Sequence, residues 1–353
     1  MTDKRLYIDF HVIQTVPPSC VNRDDTGRPK TAVYGGANRA RVSSQAWKHS
    51  VREMFKDLLS DEKRGFRTKY AASLIADEIL KLNSEFGTDK AAKAAAEALS
   101  NAGLKVNEKK NNTTGALFFI SAVQARKLAE LKVSGENDKK AYKAALKQSP
   151  SIDLALFGRM AADDNELNVD ASAQVAHSIS THAVQNEYDY FTAVDDCSPA
   201  DNAGAGHLGT MEFNSSTLYR YATVNAADLF GLIGEDTADA VKAFAQAFIC
   251  SMPTGKQNSY ANKTLPDMVY ITVRKDQPIN LSGAFEKPVY SKEGYSGPSK
   301  TALFDYAEKL YDDYGIAPEC SFVLGHDPAL GAEKMSLPQL LDKLYEYVKN
   351  EVV

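Results

Sequence analysis

Cysteine is scarce in this chain: four in 353 residues, at positions 20, 197, 250 and 320, with no CxxC pair. That spacing excludes a zinc knuckle and a disulfide framework, and it leaves reduced, structurally passive thiols. No run of about 18 apolar residues occurs, so no membrane-spanning helix is expected. The opening MTDKRLYIDFHVIQTV lacks the basic start and smooth apolar stretch of a secretion signal, so the expected compartment is the cytoplasm. Histidine is sparse too. His177 and His182 are five apart, about 140° around a helix, too far to share one metal, and they read as structural residues. Phosphate cradles are also missing. Gly35-Gly36 lacks the Walker spacing, and GAGHLG at Gly204–Gly209 has dinucleotide-loop letters without the strand before it or the helix after it. The chain is therefore expected to be no enzyme and to carry neither cofactor nor metal.

What the sequence does hold is an uneven charge. The net charge is only −5. Residues 20–52 nevertheless contain Arg23, Arg28, Lys30, Arg39, Arg41, Lys48 and Arg52 against Asp24 and Asp25 alone. Residues 54–152 carry a further excess of Lys and Arg, whereas 153–253 hold Arg159, Arg220 and Lys242 against a large excess of acids. A mildly acidic protein with a basic first half can bind a polyanion through that half. The acidic part is free to face a neighbour's basic surface.

Alternation of Leu6, Ile8, Phe10 and Val12 with Tyr7, Asp9, His11 and Ile13 predicts an opening, half-buried strand. Pro17 to Asn38 is aperiodic and reads as a long basic loop, a type that is commonly functional. After an extended RARV, Ser43 or Ser44 caps a helix starting near Gln45. At about 100° per residue, Trp47, Val51, Met54, Phe55 and Leu58 form one apolar stripe, and Gln45, Lys48, His49, Arg52 and Lys56 lie opposite. Residues 60–180 read as a helical insertion, with Lys139, Lys140, Lys143 and Lys147 crowding one helix face. From Tyr188 the pattern turns to strands: YDYFTAVDD and TMEFNSSTLYRYATV flank a small, flexible tip and predict a long β-hairpin. Helices near Ala238–Met252, Thr301–Tyr314 and Leu337–Val348 and a strand at MVYITV complete an α+β chain without internal repeats.

These blocks resemble a known family. PPSCVNRDDTGRPKTAVYGGANRARVSSQAWKHSVRE is similar to the opening of the CasC-type backbone subunit of the type I-E CRISPR Cascade complex. ALFGRMAAD, AHSISTHAVQNEYDYFTAVDD, HLGTMEFNSSTLYRYATVN and the KQNSYANKTLPDMV region extend the likeness in order over most of the chain, more loosely around 60–150. The resemblance implies a hand-shaped protein. Its palm is a modified RRM-like (ferredoxin-like) fold over 1–59, 181–190 and 223–353, its fingers are a helical insertion over 60–180, and its thumb is a long β-hairpin over 191–222. It also implies that several copies form a helical filament along the spacer of a crRNA. There they present bases for pairing with target DNA as an R-loop in antiviral defence, together with large, small and crRNA-end-binding subunits. By position, Arg23, Lys30, Gln45, Lys48 and Arg52 match guide-phosphate contacts, which need cations and amides but no base code. Met160, Phe191 and Thr192 match positions that wedge against bases. Lys139, Lys140 and Lys143 match lysines that touch the target duplex. Tyr190 stands where the family often has an indole. A second reading is a relative that cleaves target RNA with a loop aspartate, Asp24 or Asp25 here.

Overall fold

The computed structural model describes residues 5–193, 196–197 and 207–352. Strand β1 (Tyr7–Ser19) is followed by β2 (Thr31–Tyr34), β3 (Ala37–Val42) and helix α1 (Ser44–Leu58). A mostly helical stretch comes next: β4 (Gly65–Thr68), α2 (Ala71–Leu82), α3 (Thr88–Asn101), β5 (Val106–Asn107) and β6 (Thr113–Thr114). It continues through β7 (Phe118–Ser121), α4 (Ala122–Val133), α5 (Lys139–Lys147) and α6 (Ile152–Phe157). Strands β8 (Ala173–Val175), β9 (Ser178–Ser180), β10 (Glu187–Ala193) and β11 (His207–Asn225) lead to α7 (Ala226–Ile233), α8 (Thr237–Cys250) and α9 (Gln257–Tyr260). The chain closes with β12 (Met268–Arg274), α10 (Ser296–Tyr314), β13 (Cys320–Leu324), β14 (Glu333–Lys334) and α11 (Leu337–Val352).

One large sheet, ordered β14-β13-β12-β1-β11-β9-β3-β2, organises the main body, and β8 and β10 also pair with β11. Every pairing in it is antiparallel except β13 with β14. Because strand side chains alternate, β1 feeds two cores. Ile8, Phe10 and Val12 pack with Val51 and Phe55 of α1, Phe244 and Phe248 of α8 and Leu340, Leu344 and Val348 of α11. Ile13 packs on the other face with Tyr219, Tyr270, Phe285 and the α10 residues Leu303 and Phe304. The expected half-buried strand is thus buried on both faces, Asp9 and His11 included. These two polar groups are tolerated because partners arrive from far along the chain. Asp9 accepts from the Tyr221 hydroxyl at 3.0 Å and the Ile279 amide at 2.8 Å, and His11 Nδ1 meets the Tyr219 hydroxyl at 2.9 Å.

A separate core fills the stretch from α2 to α5, built from Ala72, Ile75, Ala95, Leu99, Leu128 and Tyr142 among others. Alanine-rich faces let these helices approach closely, and a capping box at Ser121 and Gln124 starts α4. This core ends at Leu167. The later β8 and β9, within the span expected as insertion, pair instead with β11 and β3 of the large sheet.

The expected loop over 17–38 keeps its turn character from 20 to 30, closed by an Arg23–Pro29 bridge, but its ends belong to strands β1, β2 and β3. Gly35 and Gly36, at φ +56° and +73°, form the two-residue turn that closes β2 on β3. Arg39, counted with the loop cations, is fully buried there. Its guanidinium donates to the carbonyls of Tyr34, Ser180, Phe285 and Glu286, so it is a structural hub and not a surface charge. β10 and β11 pair antiparallel from Glu187↔Phe213 to Ala193↔His207. The flexible tip expected at 199–206 lies outside the described residues.

Candidate nucleic-acid interface

Helix α1 is fixed before its outer face is put to use. The Ser43 side chain caps it by accepting from the Ala46 amide, and Trp47 Nε1 donates to the Ser178 hydroxyl at 2.9 Å. The Arg220 guanidinium stacks on the Trp47 ring at 3.9 Å. With Trp47, Val51 and Phe55 buried, Gln45, Lys48, His49 and Arg52 are turned outward.

They turn into a cleft of about 480 Å³ between α1 and the helical stretch, whose far side carries Arg67 of β4, Phe119 of β7 and Met160. Lys48 is half-buried, with its ammonium 5.7 Å from the centre of the Phe157 ring. Desolvation lowers its pKa, and among the described residues no carboxylate pairs with it. A half-buried, unpartnered ammonium favours an anionic guest. Arg52 differs. Its Nε donates to Asp153 at 2.9 Å, its Nη2 donates to the Gly65 carbonyl at 3.2 Å, and it lies over the Phe119 ring at 4.6 Å. Asp153 also accepts from the Gly65 amide and the Ser151 hydroxyl. Arg52 therefore braces the two walls and offers only part of its charge to a ligand. Arg159 is buried and donates to the carbonyls of Leu167, Phe119 and Leu146. Burial pulls its pKa down to about 10, which leaves it cationic at neutral pH. It sets the backbone beneath Met160, whose side chain is 88% exposed.

His49 also borders a second cleft, of about 470 Å³, with Arg23, Asp24, Asp25 and the Pro253–Gly255 segment. The two clefts share His49 of α1 and differ in charge: the first is lined by Lys48, Arg52, Arg67 and Arg159 against Asp170, the second by Arg23 against Asp24 and Asp25. Asp24 Oδ1 accepts from the Thr26 amide, the Thr26 hydroxyl and the Arg28 amide, all at 2.8–2.9 Å, and closes the turn that leads into Gly27. These bonds, the Thr26 hydroxyl's first, hold its carboxyl below the usual range. Lys30 joins neither cleft and borders a narrow recess with Arg41 and Asn214. Arg28 reaches Glu212 at 2.8 Å and ties the loop to β11.

The remaining sequence candidates lie elsewhere. Phe191 stands opposite Gly209, and a Cβ there would come within 2.4 Å of its ring. Thr192 is exposed on the other face of β10, which it shares with the exposed Tyr190 and the facing Leu208. Phe191 and Thr192 thus point to opposite sides of the ribbon. On α5, Lys139 and Lys140 are exposed, but Lys143 pairs with Asp164 at 2.6 Å and Glu166 at 2.9 Å. His177 and His182 flank strand β9 and share no helix. His177 Nδ1 lies 3.2 Å from Arg41 Nη1, and the His182 ring stacks on Tyr295. Among the described residues no group of three or more His, Cys, Asp or Glu is placed to hold a metal. Arg67, Leu117 and Asn168 line the first cleft and were not singled out from the sequence. Arg67 belongs to a short GFRT run whose strand character rests on pairing with β7.

Comparison with curated proteins returned no match. A chain of a solved structure described as "CRISPR RNA-guided surveillance complex, pre-nicking" is 33% identical. The similarity covers 97% of this chain and 100% of that one, with a TM-score of 0.82. A second, from a "CRISPR RNA-guided surveillance complex", is 30% identical over 97% and 99%, with a TM-score of 0.65. With residues 8–347 matched to the family described as CT1975-like protein, this chain belongs to that family and is a relative of surveillance-complex chains.

Proposed function

We propose that the chain is a non-catalytic backbone subunit of a type I-E CRISPR surveillance complex in the cytoplasm. Several copies line the spacer of a crRNA and present it to target DNA during R-loop formation. The observation that carries this reading is the convergence of Gln45, Lys48 and Arg52 with Met160 on one cleft. Cations and an amide hold phosphates whatever the sequence, and an unbranched thioether fits any base. On this reading the main body is an RRM-like palm, the α2–α5 core belongs to the fingers, and β10 with β11 forms the base of the thumb. Lys139 and Lys140 are the finger cations left for duplex DNA.

The competing reading, target-RNA cleavage with a loop aspartate, is disfavoured for Asp24 by its three hydrogen bonds within the turn. The test is to co-express the full chain with the other complex subunits and a repeat-derived transcript, then measure particle mass and nucleic-acid content. A multi-copy particle holding one guide is expected; nucleic-acid-free protein at low ionic strength refutes the proposal. Incubation with complementary RNA and a divalent metal should leave that RNA intact, whereas cleavage abolished by Asp24→Ala would establish the enzyme reading.

A further inference from the structure

The cleft has two walls from two separately cored parts of the chain, and the proposed phosphate contacts Gln45, Lys48 and Arg52 occupy only one of them, with Met160 across from them. Arg67 stands on the other. Its strand is pinned two residues earlier. The Gly65 amide donates to Asp153 at 2.8 Å, its carbonyl accepts from Arg52, and a Cβ at Gly65 would meet Ser151 Oγ at 2.5 Å and Phe119 Cε2 at 2.8 Å. Alternation along β4 puts Arg67 on the face of Gly65, toward the cleft, and Phe66 on the other. Arg67 is exposed and, among the described residues, has no carboxylate partner. Asp153 is committed to Arg52, and Arg159 is spent on carbonyls. The lining therefore leaves Lys48 and Arg67 facing a shared space, with Asp170 as its one carboxylate. Two cations that face one space without a carboxylate partner both gain from an anion placed between them.

We infer that Arg67 is a second-wall phosphate contact, so that the strand passing α1 is clamped between Lys48 and Arg67. This rests on the guide-strand reading of the cleft. The ligand class is a single-stranded sugar-phosphate backbone, held without base specificity. Arg67 presents a planar fork that suits a phosphate bidentately, where Lys48 acts as a point charge.

The test uses the purified full chain and a fluorescein-labelled, unstructured RNA oligonucleotide, with anisotropy titrations across a salt series. Arg67→Ala should weaken binding several-fold and lower the slope of log K against log salt by roughly 0.7, the single-strand value for one phosphate. Arg67→Lys should keep the slope and lose part of the affinity. Both variants should melt with the parent, since an exposed, unpaired side chain contributes little to stability. If Lys48→Ala lowers affinity and slope while Arg67→Ala matches the parent, the second-wall contact is wrong and the guide-strand reading stands. If neither substitution changes binding, the strand does not lie in this cleft and both ideas fall together.

Discussion

Asp153→Asn removes one charge from the strut that joins the two walls of the cleft and leaves its shape almost unchanged. The asparagine Oδ1 can still accept from the Gly65 amide and the Ser151 hydroxyl, the bonds that Asp153 makes at 2.8 and 2.7 Å. What is lost is the ion pair to Arg52 Nε at 2.9 Å, in which the side chains are 4% and 24% exposed. Breaking a buried pair by removing one partner costs about 3–5 kcal/mol. Exposed pairs are worth about 0.2–1 kcal/mol, and the partial exposure of Arg52 puts this one between them, at about 2–3 kcal/mol. Native-state hydrogen exchange should read that cost at the Gly65 amide as opening about 30- to 150-fold more frequent, at 1.4 kcal/mol per decade. RNA binding should move the other way. Arg52, released from its counter-charge, becomes available to a phosphate, so affinity should rise and the salt slope steepen by roughly 0.7. Unchanged Gly65 exchange would show that the pair does not brace the walls. An unchanged slope would show that Arg52 faces no strand.

Asp9→Asn tests the buried polar layer. Burial pushes the Asp9 carboxyl up to about 6, against bonds from Ile279, Thr223 and Tyr221 and the Arg274 charge that pull it down. A raised carboxyl keeps its proton in the fold after the unfolded chain has lost it, so its stability contribution falls as pH rises from about 3.8 to 6. The gap between variant and parent should therefore grow in the variant's favour by about 3 kcal/mol across that window and then level off. His11, lowered to about 3 by desolvation, acts in the opposite sense as pH falls below 6.5 but cancels in the difference. A gap independent of pH, measured by urea unfolding, would contradict this. Gly35→Ala should cost about 2–4 kcal/mol, because its Cβ would sit 1.6 Å from the Glu286 carbonyl oxygen at φ +56°. Gly36→Ala, with open space around it, should cost about 1 kcal/mol for the left-handed backbone alone, and equal losses would refute the close-approach argument. In the assembled complex, Lys139→Ala with Lys140→Ala should weaken duplex-DNA binding more than Lys143→Ala, which instead loosens α5 from Asp164 and Glu166. The reverse order in a salt-controlled binding assay would return Lys143 to the DNA.

The helix that builds the cleft was legible from the sequence because its cap, apolar stripe and polar face are all local. Trp47, Val51 and Phe55 recur at helical spacing, and nothing distant alters that pattern. The β1 alternation was also local, but its burial on both faces was not. Asp9 and His11 look like solvent-facing residues until Tyr221, Tyr219 and the Ile279 amide arrive from more than 200 residues away. Arg39 misled for the same reason, since the carbonyls that consume its charge belong to residues 180, 285 and 286. Arg52 and Lys143 sit on cationic faces, yet each has an acid waiting in another segment. The second wall of the cleft was illegible because β4 exists only through its ladder with β7, about fifty residues on. Local periodicity finds elements, whereas a cation's availability is decided by tertiary carbonyls and carboxylates.

If Met160 meets the guide as proposed, its setting bears on how much spacer variety the chain would accommodate. On one side of it, Arg159 is locked to three carbonyls; just before that, Gly158 turns at φ +76° where a Cβ would strike the Val169 carbonyl at 2.8 Å. The root of the methionine is stiff and its tip is soft, with three rotatable bonds free in solvent. On the proposed guide-strand reading, a tip of that kind settles against purine and pyrimidine rings alike, so spacers of different letters would be held in the same grip. A β-branched residue on the same root would narrow that tolerance to the ring shapes it happens to fit.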